Sequence, residues 1–510
     1  MTRVLKIVLL WLIVGAMVWL FTLWHWQQSG RDVDLFDIVS YLLVLPTVIA
    51  GGWLLALWVI KKIRAKAAQE IVLPAAQTSH AAPALSGDQA LQRAHALVLD
   101  AAVHTCVGPD AMSSLAEVQS GAVRPGLDPS LQDYDGLPIF SARVADLDLD
   151  DADIGELPRA DAPAMAVSRA MALLRGPVEQ LAETWMSLLE QLSPTQAMAA
   201  GGTDHEWGSG AKTYLSGVGH RTPDDEKQRT DPIQWTVRIL MPASWSVADQ
   251  DLVVCAVRSR LAAVVDHATA CGMAAPQWQV IPPATPEIWW SELDAHIKRW
   301  GREGRAEALL ILAVDSALDE PTVERWLSVG ELFTAQHQTG RVPGEAAVGM
   351  LLSSPALRGR VDFKALAQPA IRLARPVCLR RDKSADALGR VGATTLVETM
   401  TQALAVAGVA PSLDLMVVTD ADHRASRTSE LFEALQTLVP GIDPTVQVTR
   451  AGEVLGDVGV ARSLLSAALG CAAVWASEGE QVALATHVQS SHERVALALS
   501  VDDAQDAVPV

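Results

Sequence analysis

Two uncharged apolar runs stand at the head of the chain, and the pattern changes after them. Residues 7–24 (IVLLWLIVGAMVWLFTLW) and 38–60 (IVSYLLVLPTVIAGGWLLALWVI) hold no charged side chain. As helices rising 1.5 Å per residue, both reach about 27 Å or more and match a bilayer's hydrocarbon. Pro46 and the Gly51-Gly52 pair would weaken a helix in water, but membrane helices tolerate both residue types. Arg3 and Lys6 precede the first run, and Lys61, Lys62, Arg64 and Lys66 follow the second. The loop between them has Arg31 alone. By the positive-inside rule, residues 1–66 form a two-span anchor, with the N-terminus and the large C-terminal body cytoplasmic. Membrane lipid is therefore the first expected partner.

Residues 67–90, rich in Ala, Ser, Gln and Pro, read as a linker. Beyond it, short apolar runs alternate with stretches of helical period. The runs predict strands at 95–103, 235–240, 278–281, 308–314, 349–352, 370–373, 377–379, 413–418 and 445–449, and a hairpin from 482–488 and 494–500. Helices are expected at 112–120, 163–190 with a break at Gly176-Pro177, 247–264, 286–300, 393–407 and 429–438, and a segment dense in small residues at 458–473. Residues 123–135 read as turns. The 193–232 stretch is polar and Gly-rich, with a strand or turn near 214–218. Strands alternating with helices over this length describe a layered α/β body.

Charge narrows the partners. The chain carries −19, and residues 1–66 hold seven Lys/Arg against three Asp/Glu, so the body is more acidic still, at −23. That excludes a nucleic-acid surface, which needs a positive field at the phosphates. The acidic stretch 146–156 lacks the spacing and central Gly of a calcium loop and reads as solvated. Cys106, Cys255, Cys271, Cys378 and Cys471 are scattered singly, as buried small hydrophobes of a reducing compartment are. No histidine stands in a metal-binding spacing, so neither metal nor cofactor is expected.

Several segments resemble the thiolase-like superfamily, and within it a β-ketoacyl synthase. In the first half these are the opening strand with Val107-Gly108, then Ala313-Val314-Asp315-Ser316, then Gly344-Glu345-Ala346-Ala347. In the second half, 408–418 (GVAPSLDLMVV) and Gly456-Asp457-Val458-Gly459-Val460-Ala461 fill the corresponding places. The resemblance covers about residues 92–500. It implies a duplicated αβαβα fold, with halves at 91–365 (including insertions) and 366–502 and a tail at 503–510. It also implies a homodimer formed through the edge strand at 278–281.

A condensing enzyme needs a thiolate and two polar groups that handle the enolate charge. In the family the thiolate opens the helix that here begins near Pro286, yet no cysteine lies between Cys271 and Cys378. Thr285 stands there, as an N-cap. His423 is nearest to the first histidine position, without its Gly-Thr frame, and Asp457 replaces the second, where it can cap the next helix. Thr285, His423 and Asp457 are thus vestigial site candidates. The reading is a catalytically degenerate ketosynthase-like protein of a bacterial inner membrane that binds a protein, acyl or lipid partner. The resemblance permits a place beside envelope or type VI secretion machinery. The alternative is a membrane-associated acyltransferase or lipid-modifying enzyme using His423, Asp457 or Cys271. A reporter fused after Val510 is expected to be cytoplasmic and one between Gly30 and Asp37 external. Protease cleavage of the body in intact spheroplasts would overturn this topology.

Overall fold

The computed structural model describes residues 94–149, 164–192 and 232–502, apart from 284, 388, 390 and 391. The expected spans at 7–24 and 38–60, the linker, the 214–218 strand and the tail lie outside the described residues.

Two rounds of the same connectivity build the body. The first comprises β1 (His95–Thr105), α1 (Ala111–Ser120), the hairpin β2 (Gly126–Gln132) and β3 (Pro138–Ser141), α2 (Met165–Leu189), β4 (Gln234–Leu240), α3 (Val247–Ala270), β5 (Gln277–Ile281), α4 (Ile288–Glu303), β6 (Glu307–Ser316), α5 (Glu320–Ser328) and β7 (Glu345–Ser353). The second comprises β8 (Ile371–Ala374), β9 (Val377–Arg380), α6 (Thr394–Ala407), β10 (Leu415–Thr419), α7 (Ala425–Leu438), β11 (Val448–Arg450), α8 (Arg462–Ala476), β12 (Val482–His487) and β13 (Glu493–Val501).

The strand order runs β11-β10-β12-β13-β8-β1-β7-β6-β4-β5, with β9 also on β13. Outward from the centre, β1-β7-β6-β4-β5 and β8-β13-β12-β10-β11 repeat one arrangement. In each, the first two pairings are antiparallel and the last two parallel. β1 joins β8 antiparallel at the midpoint. The buried faces explain the layers. One face of both half-sheets packs on α4 and α8, through Trp289, Trp290, Leu293 and Leu464, Ala468, Leu469. The opposite faces pack on α2 and α3 in one half and on α6 and α7 in the other. The order is αβαβα, as the resemblance implies. Strands buried on both sides must be apolar throughout, which is why β1 and β7 read as continuous runs. The stretch Gly459–Ala476 is long and apolar enough to cross a membrane, but 83% of it is buried between the sheets, as a core helix.

Three local expectations are corrected. Residues 123–135 are not merely turns, because β2 pairs with β3. Residues 445–447 are helical (Pro444–Gln447), and the strand there begins at Val448. The third is α2, which runs unbroken through Pro177. A proline there removes the N–H that would bond the carbonyl of Leu173, four residues back. That carbonyl instead meets His104 Nδ1 of β1, at 3.3 Å. Burial of Val178 and Leu181 holds the helix on the sheet and overrides the break.

Glu345, fully buried at the start of β7, ties four segments together. It accepts from the Val144 amide at 2.8 Å, from Arg169 of α2 and from Ser316 of β6 at 2.8 Å. The Gly-Glu-Ala-Ala segment is thus an anchor for the wall of the site. Replacing His104 by Ala is expected to cost about 1–3 kcal/mol by leaving the Leu173 carbonyl unpaired. The cost should shrink in a Pro177→Ala background, where the restored N–H reaches that carbonyl. Denaturant unfolding of the double-mutant cycle checks this, and equal costs in both backgrounds would refute it.

Candidate functional site

The two halves meet where α4 and α8 begin, and charged side chains fill that place. Arg462, the first residue of α8, is 9% exposed. Its Nη2 donates to Glu287 Oε1 at 3.0 Å, its Nη1 donates to Gln489 Oε1, and its Nε lies 3.8 Å from Asp420 Oδ2. Glu287 is the N-cap of α4, so this one guanidinium spans both rounds of the fold. Asp420, in the loop after β10, accepts from the amides of Val488 (2.6 Å) and Gln489 (3.2 Å). Its second oxygen is 3.7 Å from His487 Nδ1, and the His487 ring lies 5.4 Å from that of buried Trp290.

Beside this cluster, Arg341 donates to Asp457 Oδ2 at 2.6 Å and its guanidinium sits 4.0 Å over the Trp326 ring. Backbone bonds fasten the same spot. The Asp457 amide donates to the Val342 carbonyl (2.8 Å), and the Gly344 amide donates to the Asp457 carbonyl (3.1 Å). Burial opposes ionisation of Asp457, but Arg341 and Arg462 outweigh it and hold the carboxyl well below the usual range. Arg462 is likewise desolvated, yet Glu287, Asp457, Asp420 and Asp422 keep it charged beyond the ordinary arginine range.

Asp315, ending β6, accepts from the Val460 amide at 2.9 Å while Asp457 takes the neighbouring Gly459 amide at 2.9 Å. A Cβ on Gly459 (φ +52°) would sit 1.9 Å from Asp315 Oδ2, so only glycine fits. Desolvation, reinforced by the charge of Asp457, pushes the Asp315 carboxyl up to about 7.

The sequence candidates fare differently. Asp457 enters the network but does not cap α8, whose N-cap position is Ala461; its carboxylate takes the Gly459 amide in the turn before the helix. Thr285 is exposed and does not cap α4. Residues 285–287 form a turn instead, the Ile288 amide donating to the Thr285 carbonyl at 3.2 Å, and α4 begins at Ile288. His423 stands half-buried against the edge of the Phe333 ring at 5.1 Å. From its loop it is Asp420 and Asp422 that turn inward, and Asp422 accepts from Arg424 Nε (2.8 Å) and Gln489 Nε2 (3.2 Å). Cys271 lies at the end of α3, its Sγ 3.9 Å from the Leu189 carbonyl in the outer helical layer. Cys378 of β9 packs beside α4, but burial pushes its thiol up to about 11, with Asp294 and Glu287 adding to the effect. It is therefore a poor thiolate at neutral pH. The sequence reading missed Glu287, Arg341 and Arg462. Isolated charged residues carry no periodic signal that separates them from solvated ones.

Over the network opens a polar cleft of about 1150 Å³. Arg341, Arg424, Arg427, Arg462, Asp457 and Gln489 are among its walls.

No protein-family model matches the chain, and no curated protein matches it. Solved structures do. One is AntDE:AntF, a type II PKS acyl-carrier protein in complex with its ketosynthase, at 10% identity and TM-score 0.50. The match covers 80% of this chain and 100% of that one. The ishigamide ketosynthase/chain length factor matches over the same shares at 14% identity and TM-score 0.48. A ketosynthase from module 1 of the bacillaene synthase of Bacillus amyloliquefaciens matches at 9% identity and TM-score 0.44, over 81% of this chain and 77% of that one. The fold is the thiolase-like fold that ketosynthases have.

Truncating Arg462 to Ala is expected to cost about 3–5 kcal/mol, because Glu287 and Asp420 then stay buried without their cation. Unfolding in urea measures it, and a loss under about 1 kcal/mol would mean that the network is not a structural tie. For Asp315 the folded value lies above the unfolded one, so its stabilising share is full below about pH 4 and is lost as pH rises to about 7. Asp315→Asn should therefore gain stability over the parent across that window, by up to about 1.4 kcal/mol per pH unit. A difference that does not change with pH in melting curves would refute this.

Proposed function

We propose that this protein is a membrane-tethered, non-condensing member of the ketosynthase-like fold that binds a partner in its polar cleft. One observation carries the reading. At the N-terminus of α4, where the resemblance places a nucleophilic thiol, buried Glu287 is paired with Arg462. A carboxylate locked to a guanidinium is a weak nucleophile. Asp457, held ionised on the other side of Arg462, would repel an enolate rather than stabilise it. Trp289 and Trp290, 1% and 0% exposed, occupy volume that an acyl chain would need.

The tether is the pair of apolar runs at 7–24 and 38–60, which sets the body against the cytoplasmic face of a bacterial inner membrane. Self-association is part of the proposal. Among the described residues β5 is the outermost strand of its sheet, and Val280 on it is 39% exposed, which suits its edge to a twofold partner. An envelope or secretion protein, or an acyl or lipid ligand, is the kind of cargo such a scaffold would hold.

The test is intact-protein mass spectrometry after incubation with acyl and malonyl thioesters, paired with a product assay. No adduct and no decarboxylation are expected, in the parent or with Cys271→Ala, Thr285→Ala or Cys378→Ser. A stoichiometric adduct that one of these substitutions removes, together with turnover, would refute the reading and establish the acyltransferase alternative.

A further inference from the structure

Buried cations in the second half are matched in two different ways. Arg494 is fully buried, and its counter-ion Glu430 is too: Nε donates to Oε1 at 2.9 Å and Nη2 to Oε2 at 2.8 Å, with Arg381 closing the triad. Arg427, one α-helical turn from Glu430 on α7, is 1% exposed. Its fork meets Asp386 from the loop before α6, Nη1 to Oδ1 at 2.6 Å and Nη2 to Oδ2 at 3.0 Å. The side chain of Asp386 is 51% exposed. Here the buried member is the guanidinium, and its counter-ion hangs in solvent.

The surroundings of that fork are built for an oxyanion. Arg427 Nε and Nη2 are steadied by the Gln489 carbonyl at 3.1 and 3.0 Å, and Nη1 also reaches Ser426 Oγ at 3.0 Å. Arg424 Nη1 stands 3.9 Å from the same Asp386 oxygen, held in place by buried Asp422. Ser429 also lines this wall of the cleft, as do Ser490 and Ser491, whose hydroxyls bond Glu493 and His492. Planar guanidinium presents two parallel donors, a geometry that carboxylate and phosphate both fit.

We propose that Arg427, with Arg424 beside it, is an oxyanion-binding site whose place is held in the free protein by the Asp386 carboxylate. A small molecule bearing a carboxylate or phosphate takes that place when it enters the cleft. Asp386 gives the site a built-in competitor: it spares a buried cation from standing alone and sets a threshold that weak anions do not cross. This rests on the cleft being a binding site and names the chemistry that it selects.

Equilibrium dialysis of the purified full-length protein with inorganic phosphate, at fixed ionic strength, tests it. Asp386→Asn removes the competing charge and keeps the shape, and should tighten phosphate binding by about tenfold or more over the parent. Adding Arg427→Lys keeps the charge, removes the fork and should abolish most of that gain. Acetate displacing the phosphate marks a carboxylate-accepting site, and phosphate held against acetate marks a phosphate site; either supports the proposal. Equal phosphate binding in parent and Asp386→Asn, or a gain that survives Arg427→Lys, overturns it. Turnover of a malonyl thioester, measured separately, would defeat the non-condensing reading and leave the phosphate result untouched.

Discussion

Arg462 is the residue on which the arrangement of the seam depends. At 9% exposure its guanidinium needs buried partners: two nitrogens donate to Glu287 and Gln489 and Nε faces Asp420 at 3.8 Å, three segments from two rounds of the fold. Each of those acceptors is itself fixed by a regular element: Glu287 by the start of α4, Asp420 by the end of β10, Gln489 by the β12–β13 turn. The charge therefore dictates how the beginnings of α4 and α8 face one another. An apolar residue could fill the same volume, but it would not fix the orientation of three acceptors.

That constraint also decides what chemistry the seam can do. In a duplicated αβαβα body the N-termini of the two inner helices converge, and partial positive charge gathers there. Such a place suits a thiolate or a developing enolate. Here it is already occupied by the protein's own side chains: Glu287 is paired with Arg462, Asp457 with Arg341, and Asp315 accepts from the Val460 amide. The Gly459 and Val460 amides in the turn before α8 are likewise taken, by Asp457 and Asp315. What remains open to solvent is the outer cleft, whose walls mix guanidinia with carboxylates and hydroxyls.

Much of the architecture was legible as pattern. Continuous apolar runs gave β1, β6 and β7 because strands buried on both faces have no polar side to show, and the helical period placed α3, α6 and α7 to within a few residues except at the far end of α3 and the start of α7. Where the pattern failed, a long-range contact had intervened. Pro177 signals a break by every local rule, yet His104, 69 residues from Leu173, takes over the carbonyl that it orphans. Thr285 looked like a cap, but the chain makes a turn through Glu287 before α4 begins at Ile288. Glu345, singled out inside a motif, proved to be a buried anchor for Val144, Arg169 and Ser316.

By itself the sequence determined the alternation of strands and helices, the two apolar runs at its head, and the lack of a cysteine between positions 271 and 378. These are local properties, set by side-chain period and identity, and they need no knowledge of neighbours. Only the tertiary structure decided which charges matter. Glu287 and Arg462 are 175 positions apart, Arg341 and Asp457 are 116 apart, and none differs in the sequence from a solvated surface residue. A charge is inexpensive in water and costly in a dry seam, so its meaning depends on burial and partners. Both arise only when the second round of the fold closes onto the first.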